Sequence, residues 1–339
     1  MFLDIFNNDA FTLSSMSQAI DKATYTPTTL LDSGVFTPEP IRTESFGIET
    51  RKGSVSVVPY SQRGEKRTTK DKTNLRSLRN IETPRLAVTS TIRAHELAFL
   101  REFGTEDQII EVQKEIANRQ FGPTGLVNDV NLTLEKMAMG AIDGIILDHN
   151  GDELYNYFTI LGETASPAIG LALTTLTEGD LRKQITQKIL RPMRAKAQGA
   201  QFQYIRAICG ATAFDNLSAN PEYYATYLAQ QAGAELRETY FEKPVRFAGV
   251  EWVEYQGTDD GVFKVADNEI KFVPWGNNNI FSRVMSPGES FSQIGQMGQA
   301  LYSSIIVDDK RDEFVDLDVS TYSLMVNRRP DMTIKCTVT

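Results

Sequence analysis

Residues 51–85, RKGSVSVVPYSQRGEKRTTKDKTNLRSLRNIETPR, reverse the charge of the chain that carries them. Ten basic residues (Arg51, Lys52, Arg63, Lys66, Arg67, Lys70, Lys72, Arg76, Arg79, Arg85) face three acids (Glu65, Asp71, Glu82), a net of +7. The whole chain of 339 residues carries −9, which leaves −16 for the remainder. Residues 61–80 hold almost no apolar side chains and cannot bury themselves. Before them, Phe46, Ile48, Val55, Val57 and Tyr60 alternate as in a strand, interrupted at Gly53. After them, within residues 81–100, Leu86, Val88 and Ile92 alternate again. The stretch reads as a long two-stranded loop with a basic distal part. A basic arm on an acidic body suggests a surface that pairs with another copy of that body.

The complement lies in the same chain. Asp308, Asp309, Asp312, Glu313, Asp316 and Asp318 fall within eleven residues, offset only by Lys310 and Arg311. Single exposed ion pairs contribute ~0.2–1 kcal/mol. Repeated over many symmetric contacts, they could still set assembly geometry and its salt dependence. The basic segment has one aromatic, Tyr60, at its base. Nucleic-acid platforms interleave aromatics with charge. A nucleic-acid-binding protein using residues 51–85 is therefore the alternative reading, and the acidic balance argues against DNA binding by the whole molecule.

Composition bounds the class. Hydrophobic residues make up 41 %, enough for a sizeable core. No run approaches the ~18 apolar residues of a membrane span. The start, Met1-Phe2-Leu3-Asp4-Ile5-Phe6, lacks the basic region of a secretory signal. Cys209 and Cys336 form no metal or redox spacing, which fits synthesis in a reducing cytoplasm and buried, inert thiols.

Residues 1–40 read as an extended arm, because Pro27, Pro38 and Pro40 push their neighbours toward extended geometry. Only Met16 to Ala23 suits a short helix. Thr105-Glu106-Asp107-Gln108 fits a capping box that starts a helix carrying Ile109, Val112 and Ile116. Gly122-Pro123-Thr124-Gly125 interrupts it. A second helix is predicted from about Leu126 to Asp143, with Val127, Val130, Leu134, Met137 and Ala141 in one stripe. Ile145-Ile146-Leu147 and Leu154-Tyr155-Asn156-Tyr157 flank His149-Asn150-Gly151-Asp152, a hairpin signal because both Asn150 and Gly151 tolerate positive φ. A helix is expected over 178–199 and another over 221–240. Strands are expected over 205–211, 245–255, 314–322 and 332–338.

Catalytic and cofactor motifs are weak. Asp148, Asn150 and Asp152 resemble the opening of a calcium loop, but position six is Glu153 and position twelve is Thr159, so the hairpin-turn reading is better. His95 and His149 are the two histidines, and no G-x-S-x-G, P-loop or G-x-G-x-x-G accompanies them. Gly288, Gly295 and Gly298 are too spread to cradle a phosphate. Residues 288–298 read as a flexible loop with a short apolar face, Phe291, Ile294 and Met297. An enzyme built around that loop would need a convergent set of titrating groups, which the sequence does not offer. No catalytic residue, cofactor or metal is expected.

The order of parts resembles the major capsid proteins of tailed phages. The N-terminal stretches Tyr25-Thr26-Pro27-Thr28 and Gly34-Val35-Phe36-Thr37-Pro38-Glu39-Pro40-Ile41-Arg42-Thr43 resemble the lambda-type major capsid protein E family. So do the hairpin stretch Leu154-Tyr155-Asn156-Tyr157-Phe158 and, near the end, Val307-Asp308-Asp309-Lys310-Arg311, Glu313-Phe314-Val315-Asp316-Leu317 and Arg328-Arg329-Pro330-Asp331. The resemblance implies an α+β chain of the Hong Kong 97-type phage capsid fold. Its parts would be an N-arm (1–40), an extended β loop and its base (41–92), and a peripheral domain with the spine helix (93–199). An axial domain (200–305) and C-terminal strands completing the peripheral domain (306–339) would follow.

The resemblance further implies hexamers and pentamers of the chain itself, assembled in the bacterial host cytoplasm into an icosahedral head around double-stranded DNA. Portal, scaffold and possibly decoration proteins would be partners, with nonspecific proximity to DNA and no membrane. The extended loop of one subunit would lie over a neighbour. The contact is then expected between Arg63, Lys66, Arg67, Lys70, Lys72, Arg76 and Arg79 on one subunit and Asp308, Asp309, Asp312, Glu313 and Asp316 on another. Some relatives of this fold cross-link Lys to Asn. Here Lys66, Lys70 and Lys72 lie in the loop and Asn277, Asn278, Asn279 and Asn327 lie elsewhere, but the lambda-type family is not known for that chemistry.

Overall fold

The computed structural model describes residues 29–52, 75–93, 95–96, 108–122, 125–174, 179–197, 200, 202–231, 245–255, 257, 265–276, 279–308 and 313–338. Along the chain, β1 (Thr37–Pro40) leads to β2 (Ser45–Lys52), β3 (Leu75–Glu82) and β4 (Leu86–Arg93). Two helices follow, α1 (Gln108–Phe121) and α2 (Leu126–Asp143). The expected strand over 81–100 is broken at Thr83-Pro84-Arg85, where Pro84 has no N–H to give a ladder. The capping box at Thr105 lies outside the described residues.

Helix α2 is the backbone of the core. Val127, Val130, Leu134, Met137 and Ala141 are buried, as are Ala138 and Ile142 beside them. Eighteen residues give a rod of about 27 Å. It packs on α1, β4, β14 (Phe314–Thr321) and β15 (Ser323–Asn327). Burying a side chain such as Leu134 contributes about 1.5–3 kcal/mol. Gly144 ends the helix in the left-handed region at φ +84°, its N–H returning to Ala141 O.

The expected hairpin follows, formed by β5 (Ile145–Leu147) and β6 (Glu153–Asn156). Only Gly151 has positive φ (+91°), and Asn150 does not share it. The turn is held instead by Asp148, whose Oδ1 accepts from the N–H groups of Asn150 and Asp152 at 2.8 and 3.0 Å. Tyr157, expected in the strand, starts α3 (Tyr157–Leu161), because Asn156 caps a helix there by accepting from the Phe158 and Thr159 N–H groups.

After β7 (Ile169–Leu171), helix α4 (Asp180–Ile185) passes through a π turn (Thr186–Leu190) into α5 (Arg191–Ala197). Pro192 explains the π turn. It lacks an N–H, and its ring presses on the carbonyl four residues back, so the preceding turn widens.

A six-stranded sheet orders β7, β16 (Ile334–Val338), β11 (Glu269–Trp275), β8 (Tyr204–Cys209), β10 (Val250–Glu254) and β9 (Val245–Phe247). Helices α6 (Ala211–Ser218) and α7 (Pro221–Gln231) follow β8. The single strand expected over 245–255 is two, turned by Ala248 and Gly249 at φ +52° and +80°. A three-stranded sheet joins β1, β12 (Phe281–Met285) and β15. Another joins β13 (Tyr302–Val307), β14 and β4. β7 and β16 belong to the six-stranded sheet, whereas β12 and β13 each belong to a three-stranded one. The last part of the expected N-arm lies on its own body, with Leu30, Val35 and Phe36 buried and β1 parallel to β12.

Candidate assembly surfaces

The acidic run near the C-terminus is half strand. In β14 the pleat sends Val315, Leu317, Val319 and Thr321 into the core and Phe314, Asp316, Asp318 and Ser320 to the outer face. Antiparallel pairing with β4 sets Thr91 opposite Asp316 and Thr89 opposite Asp318. Each threonine hydroxyl donates to the facing carboxylate at 2.6 Å. One such bond leaves a carboxylate most of its acceptor capacity. Glu313 is exposed and Asp308 half-buried, whereas Asp309 and Asp312 lie outside the described residues.

Of the basic set, Arg63, Lys66, Arg67, Lys70 and Lys72 lie outside the described residues. Arg76 and Arg79 belong to β3, where the Arg79 side chain is exposed. β2 and β3 pair from Ser45↔Glu82 to Lys52↔Leu75 and form a sheet of two strands. Leu78 on this ribbon is 66 % exposed. At the root of the ribbon, Arg85 pairs with Glu289 at 3.1 Å, both well exposed. They edge a hollow of about 270 Å³ lined also by Thr89, Gln293, Asp318 and Tyr322.

Residues 288–298, expected to be a flexible loop, fold into consecutive turns. Ser290 O accepts from the Gln293 and Ile294 N–H groups, and Gln293 O accepts from Gln296 N–H. Phe291, Ile294 and Met297 are exposed on it.

Two buried polar junctions escaped the sequence reading. Glu135 of α2 is 2 % exposed. Its carboxylate accepts from Leu30 N–H (2.9 Å), Leu31 N–H (3.1 Å) and Tyr255 OH (3.0 Å), joining the N-terminal segment, the helix and the end of β10. Burial raises its pKa, outweighing the hydrogen bonds that pull it down. The signal was available, since Ala138 and Met139, three and four residues on, are both apolar. At the far end of α2, Asp143 meets Lys271 at 2.8 Å and Lys335 at 3.2 Å, the second contact lacking hydrogen-bond alignment.

The chemical candidates separate in space. His95 is exposed. His149 is exposed too, its Nδ1 3.8 Å from Asp148. Among the described residues, no three His, Cys, Asp or Glu side chains gather as a metal would require. No described helix is long and apolar enough to cross a membrane. Cys209 and Cys336 are buried, and burial pushes the Cys336 thiol up to about 12 and the Cys209 thiol higher still. Of the cross-link candidates, Asn277 and Asn278 lie outside the described residues and Asn279 is exposed. Asn327 is fully buried, its amide donating to Ala141 O and accepting from Arg329 N–H.

A family model described as phage major capsid protein E matches residues 12–338. No curated protein matches the chain. Among solved structures, the capsid of cyanophage P-SCSP1u is similar at TM-score 0.54 and 13 % identity, covering 93 % of this chain and 90 % of that one. The mature capsid of bacteriophage PhiM1 is similar at 0.54 and 12 %, covering 93 % and 88 %. The capsid of Myoviridae phage XM1 is similar at 0.51 and 13 %, covering 93 % and 94 %. These likenesses establish the Hong Kong 97-type fold.

Proposed function

The chain belongs to the phage major capsid protein E family, and from that premise we propose how its geometry serves a head shell. It is a major capsid protein of a tailed phage, located in the icosahedral shell of the virion head. Capsid assembly makes copies of the chain its first partners. In our reading those copies close into hexamers and pentamers around double-stranded DNA, with portal, scaffold and possibly decoration proteins as further partners and no catalytic step. Residues 1–40 serve as the N-arm and 41–92 as the extended loop. Residues 93–199 with 306–339 make the peripheral domain around the spine helix α2, and 200–305 the axial domain.

The observation that supports a reaching loop is the β2–β3 ribbon. Among the described residues it belongs to no larger sheet. Its root is packed on its own body through Ile48 and Ile81, but farther out it exposes Leu78, and a two-stranded ribbon without packing partners is marginal in water. A neighbouring subunit would cover it. The basic residues Arg63, Lys66, Arg67, Lys70, Lys72, Arg76 and Arg79 would then meet the outer face of β14, where Asp316 and Asp318 point away from the core, and the adjoining Asp308, Asp309, Asp312 and Glu313.

The test is electron microscopy of the chain expressed alone and together with the phage's other head-assembly proteins. Capsomer rings, tubes or shells are expected. A monomer in both preparations, across low and high salt, would overturn the reading.

A further inference from the structure

We propose that the turn of residues 288–298 is a preformed apolar contact seated on a second copy of this chain. The inference rests on the head-shell reading above. Phe291 is 101 % exposed and Ile294 61 %. They stand three residues apart on one turn, and Met297, 47 % exposed, follows it. The turn is braced rather than loose. Gly298 N–H donates to Ile41 O at 2.9 Å, Arg42 Nε reaches Met297 Sδ at 3.4 Å, and Glu289 holds Arg85 at 3.1 Å. A contact ordered before it binds loses little further conformational freedom on binding.

Three features select the occupant. Three side chains offer roughly a few hundred Å², well short of the ~800 Å² per partner of a stable two-body interface. Such a patch cannot hold a free partner by itself, but it suits one element of a contact repeated around a closed assembly. Its rim sets Arg42 and Arg85 against Glu289 and Asp318, a balance that offers no net positive charge to a phosphate backbone. The turn also adjoins the root of the β2–β3 ribbon through Ile41, Arg42 and Arg85, so it continues the surface by which the head-shell reading has one copy reach another. A second copy satisfies all three.

The test assembles wild-type chain, Phe291→Asp and Ile294→Asp side by side, with particles counted by electron microscopy. Both variants should keep the wild-type melting temperature as monomers, since neither side chain is packed in the monomer, and should lower particle yield at least tenfold. Wild-type shells with equal yields from both variants would overturn the inference and leave the shell reading standing. Failure of the wild type to form particles would overturn both. In a second measurement, a photoreactive benzophenone side chain replaces Phe291 in assembled particles. A covalent dimer of the chain is expected. Adducts to a different protein, or no intermolecular adduct, would overturn the choice of a second copy.

Discussion

Lys271 Nζ lies 2.8 Å from Asp143 Oδ2, and through this pair the six-stranded sheet grips the last residue of α2. The carboxylate sits at the end of the helix where the backbone dipole is negative, so it needs nearby cations. Lys271 is 4 % exposed and cannot exchange its partner for water. Replacing Lys271 with Met should cost about 1.5–3 kcal/mol, less than breaking a fully buried pair, because Asp143 is 21 % exposed and Lys335 still reaches it. The double variant Lys271→Met with Asp143→Leu should recover most of that loss. Urea denaturation of the four-member cycle measures both. Additive losses would refute the coupling.

Glu135 should make stability depend on pH in an unusual direction. Its folded pKa lies above its ordinary value of 4.5 because burial disfavours the charge. The folded chain therefore holds this proton more tightly than the unfolded chain. Its contribution is fully present below 4.5 and is lost as pH rises through the folded value. Glu135→Gln does not titrate, so the stability of the wild type relative to this variant should fall as pH rises through that window. At neutral pH the variant also turns an amide N–H₂ toward the donors of Leu30, Leu31 and Tyr255, costing about 1–3 kcal/mol. Faster hydrogen exchange at Leu30 and Leu31 is expected. Unchanged exchange would show that the carboxylate does not hold the segment.

Gly144→Ala should be among the most damaging small substitutions. A Cβ at Gly144 would stand 2.4 Å from the Phe158 ring, and φ is already +84°. The strained backbone and the clash together should cost about 2–4 kcal/mol, read as a lowered denaturation midpoint. A midpoint equal to wild type would mean that the Phe158 ring moves aside freely.

Reversing Arg63, Lys66 and Arg67 to Glu should block assembly while the monomer keeps its circular-dichroism spectrum and melting temperature. Assembly of the wild type should weaken with salt, as screening of exposed charges requires. Normal particles from the triple variant would sink the charge-pairing account.

Both thiols should be silent toward an aromatic disulfide reagent at pH 8, since the Cys336 thiol titrates at about 12 and Cys209 is fully buried. Both should react at once in denaturant. One fast thiol in the native chain would contradict the buried position of its strand.

What could be read in advance followed periodicity. The α2 stripe from Val127 to Ala141 names both the helix and its buried face, because a 3.6-residue repeat survives without knowledge of neighbours. The same holds for β14, where the alternation of Val315, Leu317 and Val319 is plain. β12 and β15 were missed because they are buried on both faces, so Phe281 to Met285 and Ser323 to Asn327 carry no alternation. β1 was missed because two of its four residues are proline, tolerated only at the edge of its sheet. The charge on the outer face of β14 was legible in the sequence, but the shape of the candidate surfaces was not. Nothing in residues 288–298 announces that their turns hold Phe291 outward, since that rests on a hydrogen bond to Ile41 and an ion pair to Arg85, both distant in sequence.

The place of β16 within the six-stranded sheet has a consequence for synthesis. Ile334–Val338 lies between β7 and β11, so a ladder interior to the sheet cannot close until a strand more than 160 residues beyond β7 has been made. β1 waits likewise for β12, and β4 for β14. Topologies built on such long-range pairings fold slowly. A subunit whose separated strands have not yet met lacks its finished surfaces, so slow closure of these ladders separates making the subunit from joining it to the shell.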